Sequence, residues 1–130
     1  MVEDGLSSRG MVKRAVLRLG DSPQECLVDE ALSDALSFID DGLSSNGNTG
    51  VVLVHCEKGI SRSPAVVCAY LMMSESIRFQ DAINIIQQSR PIVRPNIGFS
   101  MQLRSLDGQR ATLRHKMEKS DAGDGSVGTL

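Results

Sequence analysis

The sequence predicts an α/β domain, a central sheet flanked by helices, and three observations carry that prediction. The run Val51-Val52-Leu53-Val54-His55 is β-branched and apolar enough for a buried strand. A short loop rich in Gly and Ser follows it, and then an apolar helical stretch opened by Pro64. Further apolar residues recur at three- and four-residue spacing on both sides of this unit.

In chain order, residues 1–10 are polar and unpatterned and are expected to be disordered, residues 11–118 are expected to form the folded core, and the Ser/Gly/Asp-rich residues 119–130 a disordered tail. A strand is expected near 12–19, ending in Ala15-Val16-Leu17-Arg18-Leu19, and the turn Gly20-Asp21-Ser22-Pro23 closes it. An amphipathic helix follows, with Val28, Ala31/Leu32, Ala35/Leu36, Ile39 and Leu43 on one face, and residues 44–50 end it. Asp29, Asp34, Asp40 and Asp41 in that segment are expected to face water. After the strand at 51–55, helices are expected over 63–75 and 79–89, the latter with Phe79, Ala82, Ile83 and Ile86 on one face. A last helix starts near Asn96, with Phe99, Leu103, Leu106 and Leu113 in phase and a break or bend at Asp107-Gly108.

The chemistry lies in His55-Cys56-Glu57-Lys58-Gly59-Ile60-Ser61-Arg62-Ser63-Pro64. A loop between a strand and a helix turns its N–H groups inward, and Gly59 can take positive φ, so Glu57, Lys58, Gly59, Ile60 and Ser61 make an anion cradle. The helix N-terminus adds partial positive charge, and Arg62 offers a fork to two phosphate oxygens. The same field acts on sulfur: a thiol of pKa ~8.5 falls to between ~3.5 and ~7.5 in such a place. Cys56 is then a nucleophile for phosphorus, with the loop amides and Arg62 stabilising the transition state. His55 is expected to hold the loop by hydrogen bonds, and the Ser63 hydroxyl to donate to the departing sulfur.

His55 to Ser63 resembles the His-Cys-x5-Arg-Ser signature loop of cysteine-based protein tyrosine phosphatases, and its Ser-Arg-Ser ending looks like the dual-specificity branch. Arg90-Pro91-Ile92-Val93-Arg94-Pro95-Asn96-Ile97-Gly98-Phe99, followed by Gln102-Leu103, is similar to the Pro-Asn-x-Gly-Phe turn and helix of that branch. The match runs from about Ala15 to about Leu113. The resemblance implies Cys56 as nucleophile, Arg62 as phosphate clamp, Ser63 as the hydroxyl that assists hydrolysis of a cysteinyl-phosphate, and Asn96 as a supporting residue. A general acid is still required, and Asp21 is chosen because it sits on a loop able to swing over a phosphoester. Its Asp-x-Pro setting resembles the family's general-acid loop.

The family's domain carries further strands, a helix and a substrate-recognition loop ahead of the segment matching Ala15, where this chain has some fourteen residues. A truncated or shortened core is therefore expected, one that is marginally stable or completes its sheet with a partner or a second copy. Glu57 and Lys58 cancel in charge at the cradle rim, which fits a phosphorylated protein better than a polyphosphorylated lipid or inositol. Arg90 and Arg94 either steer an acidic phosphopeptide or merely solvate the surface.

The expected function is hydrolysis of phosphotyrosine and phosphoserine/threonine. The alternative is a catalytically impaired phosphoprotein-binding pseudophosphatase, since positioning errors near 1 Å cost about 100-fold in rate. A rhodanese-like or arsenate-reductase-like thiol enzyme is disfavoured by the Pro-Asn-x-Gly-Phe segment. With 130 residues, 41% apolar content and a net charge of −2, the chain can bury a modest core, and neither nucleic acid nor a membrane is expected as partner. Two isolated His residues cannot supply a metal cluster, so neither metal nor cofactor is expected. Three cysteines without metal spacing point to a reducing compartment, cytoplasmic or nuclear, and Cys26 and Cys68 are read as unreactive turn or core residues.

Overall fold

The computed structural model describes residues 2–7, 10–107 and 109. It contains strands β1 (Val2–Ser7) and β2 (Gly10–Ala15), then helices α1 (Glu30–Asn48), α2 (Arg62–Ser74), α3 (Phe79–Ser89) and α4 (Ile97–Ser105). Helix α2 is apolar around most of its circumference and accordingly lies at the centre, in contact with α1, α3 and α4. It buries Ala65, Val66, Cys68, Ala69, Met72 and Met73.

The other helices present one stripe each to α2 and are started by side chains. Asp29 Oδ1 accepts the Leu32 N–H at 3.0 Å to open α1, whose Leu32, Leu36 and Ile39 are buried. That helix stops being regular at Ser45, where Asn46 and Gly47 take positive φ. Phe79, at the start of α3, donates its N–H to Asp107 Oδ1 at 2.8 Å, so a carboxylate from beyond α4 caps α3. Asn96 Oδ1 accepts the Phe99 N–H at 2.9 Å to open α4, which buries Phe99 and Leu103. Leu27 and Val93, from the connecting segments, complete the core.

Helices α2 and α3 fall within a residue of their expected places; α1 begins at Glu30, after Val28, α4 ends at Ser105, before Leu106, and the strands differ more. Residues 2–7 are not disordered as expected: β1 pairs antiparallel with β2 in a register running from Val2↔Ala15 to Ser7↔Gly10. A hairpin of mixed polar residues is held by its backbone ladder, and hydrophobic periodicity does not register that. Beyond Ala15 the expected strand leaves the ladder. Leu17 and Leu19 still turn towards the helices, whereas Val16 and Arg18 face out.

The segment 51–55 behaves likewise and forms no ladder among the described residues. Val52 and Val54 pack on the core while Val51 and Leu53 are 92% and 83% exposed. Period-two alternation reports a core on one side of an extended chain, but a ladder also needs a neighbouring strand about 4.8 Å away. The expected central sheet is therefore represented, among the described residues, by extended segments and the β1–β2 hairpin. Leu43, expected on the core face, lies 36% exposed on the last regular turns of α1. Leu113 and the expected tail 119–130 lie outside the described residues, as does the end of the expected core at 118.

Phe99→Ala should lower the unfolding free energy by about 3–5 kcal/mol, because it empties a fully buried ring site, whereas Leu43→Ala should cost under about 1 kcal/mol. Urea denaturation followed by circular dichroism checks both.

Candidate active site

Val54 packs against the core and delivers the chain to Cys56 at the N-terminal end of α2. Between them the loop reverses through Gly59, whose φ of +67° lies in the left-handed region that favours glycine. The Cys56 sulfur then lies 3.3 Å from the Gly59 N–H nitrogen, 3.4 Å from that of Ser63 and 3.3 Å from the Ser63 Oγ. Burial works to raise the thiol pKa and is the largest single influence. The Ser63 hydroxyl and the N–H groups of Ser63, Gly59 and Lys58 together outweigh it, bringing the thiol down to about 7.

Arg62 is the first residue of α2, so its side chain leaves the helix beside the loop. Its Nη2 is 3.6 Å from Glu57 Oε2, and Glu57 is largely exposed, so a phosphoryl group can displace this weak pair. Ser61 and Ser63 are buried, while Glu57 and Lys58 stand at the rim. His55 does not hold the loop as expected. It is exposed and makes no hydrogen bond among the described residues. The loop is gripped instead from the connection between α3 and α4: Arg90 Nη2 donates to Lys58 O at 3.0 Å, Arg90 Nε to Gly59 O at 3.2 Å, and the Arg94 N–H to Ile60 O at 2.7 Å.

Asp21 comes to the same place on the loop from Gly20 to Val28, and one side of α4 seats that loop. Asn96 Nδ2 donates to Asp21 Oδ1 at 3.1 Å. At Gly98 an added Cβ would collide with the Pro23 carbonyl, so close approach requires glycine. Gln102 Oε1 accepts from the N–H groups of Leu27 and Val28 at 2.8 and 3.2 Å, and its Nε2 donates to Glu25 O at 2.9 Å. Neither Gly98 nor Gln102 was given a role by sequence reasoning. A glycine in the first turn of a helix, which costs about 1 kcal/mol against alanine, was the available signal.

Ser61 joins the two loops. Its Oγ accepts the Asn96 N–H at 2.9 Å, and its hydroxyl supports the Asp21 carboxylate. The Asp21 pKa is held below the usual carboxylate value by Ser61 first and Asn96 second; slight burial opposes them, and the charges of Arg62 and Lys58 add to them. Asp21 is thus ionised before substrate arrives. A phosphate dianion engaging Arg62 and the loop donors raises it towards the acid form.

Two of the other four carboxylates have structural tasks: Asp29 caps α1 and Asp40 accepts the Tyr70 hydroxyl at 2.8 Å. Cys68 is a core thiol pushed up to about 12 by burial, and Cys26 is exposed.

A thiol, a guanidinium and a carboxylate gathered at one helix N-terminus agree with what residues 10–109 match, the family model of the dual specificity phosphatase catalytic domain. The chain belongs to that family. It is 42% identical over 76 residues to Dual specificity protein phosphatase 2 of Mus musculus, covering 58% of this chain and 23% of that protein. It is 45% identical over 76 residues to Putative tyrosine phosphatase 123R of Invertebrate iridescent virus 6, covering 58% and 51%. Among solved structures it is similar to DUSP15, with a TM-score of 0.67 and 32% identity over 77% of this chain and 62% of that one. It is also similar to the human tyrosine phosphatase-like serine/threonine/tyrosine-interacting protein, with a TM-score of 0.63 and 36% identity over 69% and 57%. The fold is therefore that of dual-specificity phosphatases, and the chain spans about half or less of the length of these curated relatives.

Within this family site, Ser63→Ala should raise the Cys56 pKa from about 7 by about 1 unit, because a hydroxyl donated to a charged acceptor is lost while the Ser63 N–H stays. The pH dependence of iodoacetamide alkylation measures it, with about fivefold less thiolate expected at pH 7.

Proposed function

We propose that the chain is a metal-independent protein phosphatase that hydrolyses phosphotyrosine and phosphoserine/threonine monoesters through a cysteinyl-phosphate. The observation that carries this reading is the Cys56 sulfur, ringed by the Gly59 and Ser63 N–H groups and the Ser63 hydroxyl at 3.3–3.4 Å beside Arg62.

In the first step the Cys56 thiolate attacks phosphorus with its electron pair. Arg62 and the N–H groups of the loop hold the equatorial oxygens, and Asp21, which takes up a proton from solvent as the phosphate dianion binds, passes it to the leaving ester oxygen as the P–O bond breaks. In the second step the Asp21 carboxylate takes a proton from water, whose oxygen attacks phosphorus. Cys56 leaves as thiolate and receives the Ser63 hydroxyl. Inorganic phosphate and the dephosphorylated side chain are the products, and Asp21 releases its proton to solvent as phosphate departs, so the enzyme regains its starting protonation.

Glu57 and Lys58 at the rim suit a phosphoprotein, the substrate class the family implies. The binding-only alternative is not favoured, because nucleophile, guanidinium and carboxylate are all present and linked through Ser61 and Asn96. The exposed Val51 and Leu53 support association with a partner or a second copy along that edge. Three free thiols support a reducing location, cytoplasmic or nuclear, and among the described residues no helix is long and apolar enough to cross a membrane.

Cys56→Ser and Arg62→Ala should abolish hydrolysis of p-nitrophenyl phosphate, vanadate should inhibit, and EDTA should have no effect. Binding of a phosphopeptide by the unmodified chain without release of phosphate would overturn the reading. Asp21→Asn should slow phosphopeptide turnover about 100-fold and an aryl phosphate with an acidic leaving group far less, since only the former needs the proton. Gly98→Ala, which unseats the Asp21 loop, should reproduce that leaving-group dependence in weaker form; steady-state kinetics over a leaving-group series checks both.

A further inference from the structure

We propose that Arg90 is a positioning residue for this site, one that sets the direction of the Gly59 and Ile60 N–H groups and relays its positive charge through the Lys58–Gly59 peptide to the Cys56 sulfur. The argument rests on which atoms share a peptide unit. A trans peptide is planar, with its C=O and N–H pointing opposite ways, so fixing one end aims the other. The C=O of Lys58 and the N–H of Gly59 belong to one such unit. Arg90 Nη2 donates to that oxygen at 3.0 Å, and on the far side the N–H meets Cys56 Sγ at 3.3 Å. Guanidinium, peptide and sulfur thus form a single chain of hydrogen bonds with a cation at one end and the nucleophile at the other, each polarising the next.

The next two units repeat the pattern. The Gly59 C=O accepts from Arg90 Nε at 3.2 Å, which turns the Ile60 N–H the other way, and the Ile60 C=O accepts the Arg94 N–H at 2.7 Å, which does the same for Ser61. Three consecutive carbonyls face the connection after α3, and three consecutive N–H groups face away from it. The left-handed backbone at Gly59 permits this run.

Arg90 is well placed to act as the fixed end. Its own N–H closes α3 by donating to Ile86 O at 3.0 Å, and its C=O accepts the Val93 N–H at 3.1 Å. Val93 is buried and its C=O accepts from Gln87 Nε2 at 3.0 Å, so the turn is tied to the core. Lysine cannot replace the fork, because a single ammonium does not meet two successive carbonyls in one plane. Arg90, expected either to steer an acidic phosphopeptide or to solvate the surface, is directed at the loop. Other charges bordering the loop are Arg62 and Lys58, opposed by Glu57 and Asp21.

The inference deepens the phosphatase reading and rests on it, but its primary test needs no turnover. Cys56 alkylation by iodoacetamide is measured against pH in Arg90→Ala, Arg90→Gln and Arg90→Lys, alongside thermal melts and steady-state hydrolysis of p-nitrophenyl phosphate. Arg90→Ala should raise the apparent thiol pKa by about 1 unit, with kcat/KM at pH 6 falling about tenfold or more. Arg90→Gln, which keeps donors without charge, should shift the pKa by less. Arg90→Lys should recover part of the pKa and little of kcat. An alkylation profile in Arg90→Ala that overlays the unmodified protein, whether or not the melt moves, would overturn the proposal; should that variant fail to fold, an unmoved profile in both Gln and Lys variants would do so. Absence of hydrolysis by the parent chain while its Cys56 thiol still titrates at about 7 would instead tell against the phosphatase reading alone.

Discussion

A half-buried sulfur whose thiol pKa is brought down to about 7 against its burial is the constraint around which this domain is arranged. Burial alone would drive the thiol up, as it does for Cys68 in the middle of α2, where nothing opposes it. Twelve residues earlier the outcome reverses, because the Gly59 and Ser63 N–H groups and the Ser63 hydroxyl converge on Cys56. Convergence of N–H groups has a corollary: the carbonyls of those peptides must be satisfied elsewhere. The connection between α3 and α4 meets that need, so helices that never touch the reacting atoms contribute to the site.

Helix α4 performs a parallel task for the carboxylate. Its inner side, Phe99 and Leu103, is locked into the core, while Asn96, Gly98 and Gln102 receive the loop that bears Asp21. Ser61 closes the circuit by contacting both Asn96 and Asp21. Nucleophile and carboxylate are thereby referenced to one packed body of helices.

Much of this was legible in the chain because it is local. Cys56, Gly59, Arg62 and Ser63 lie within eight residues, and their types alone imply an anion loop. The stripes of α1 and α3 follow from spacing, and α4 opens at Asn96 as expected, whereas Asp29, expected only to face water, caps α1. What escaped notice depends on distance along the chain. Arg90 reaches Gly59 across 31 residues and Gln102 reaches Leu27 across 75, and no periodicity encodes such meetings. The β1–β2 ladder escaped because backbone pairing is indifferent to side-chain type, and the missing ladder at 51–55 because alternation reveals a buried side and says nothing of a neighbour.

The manner in which Gln102 holds the loop has an evolutionary consequence. Its hydrogen bonds to Glu25, Leu27 and Val28 all go to main-chain atoms, so those bonds do not depend on the side chains of Ser22, Gln24, Glu25 and Cys26. Those positions form a rim of interchangeable parts on a fixed mount. Descendants can vary them without disturbing how the Asp21 carboxylate they surround is held.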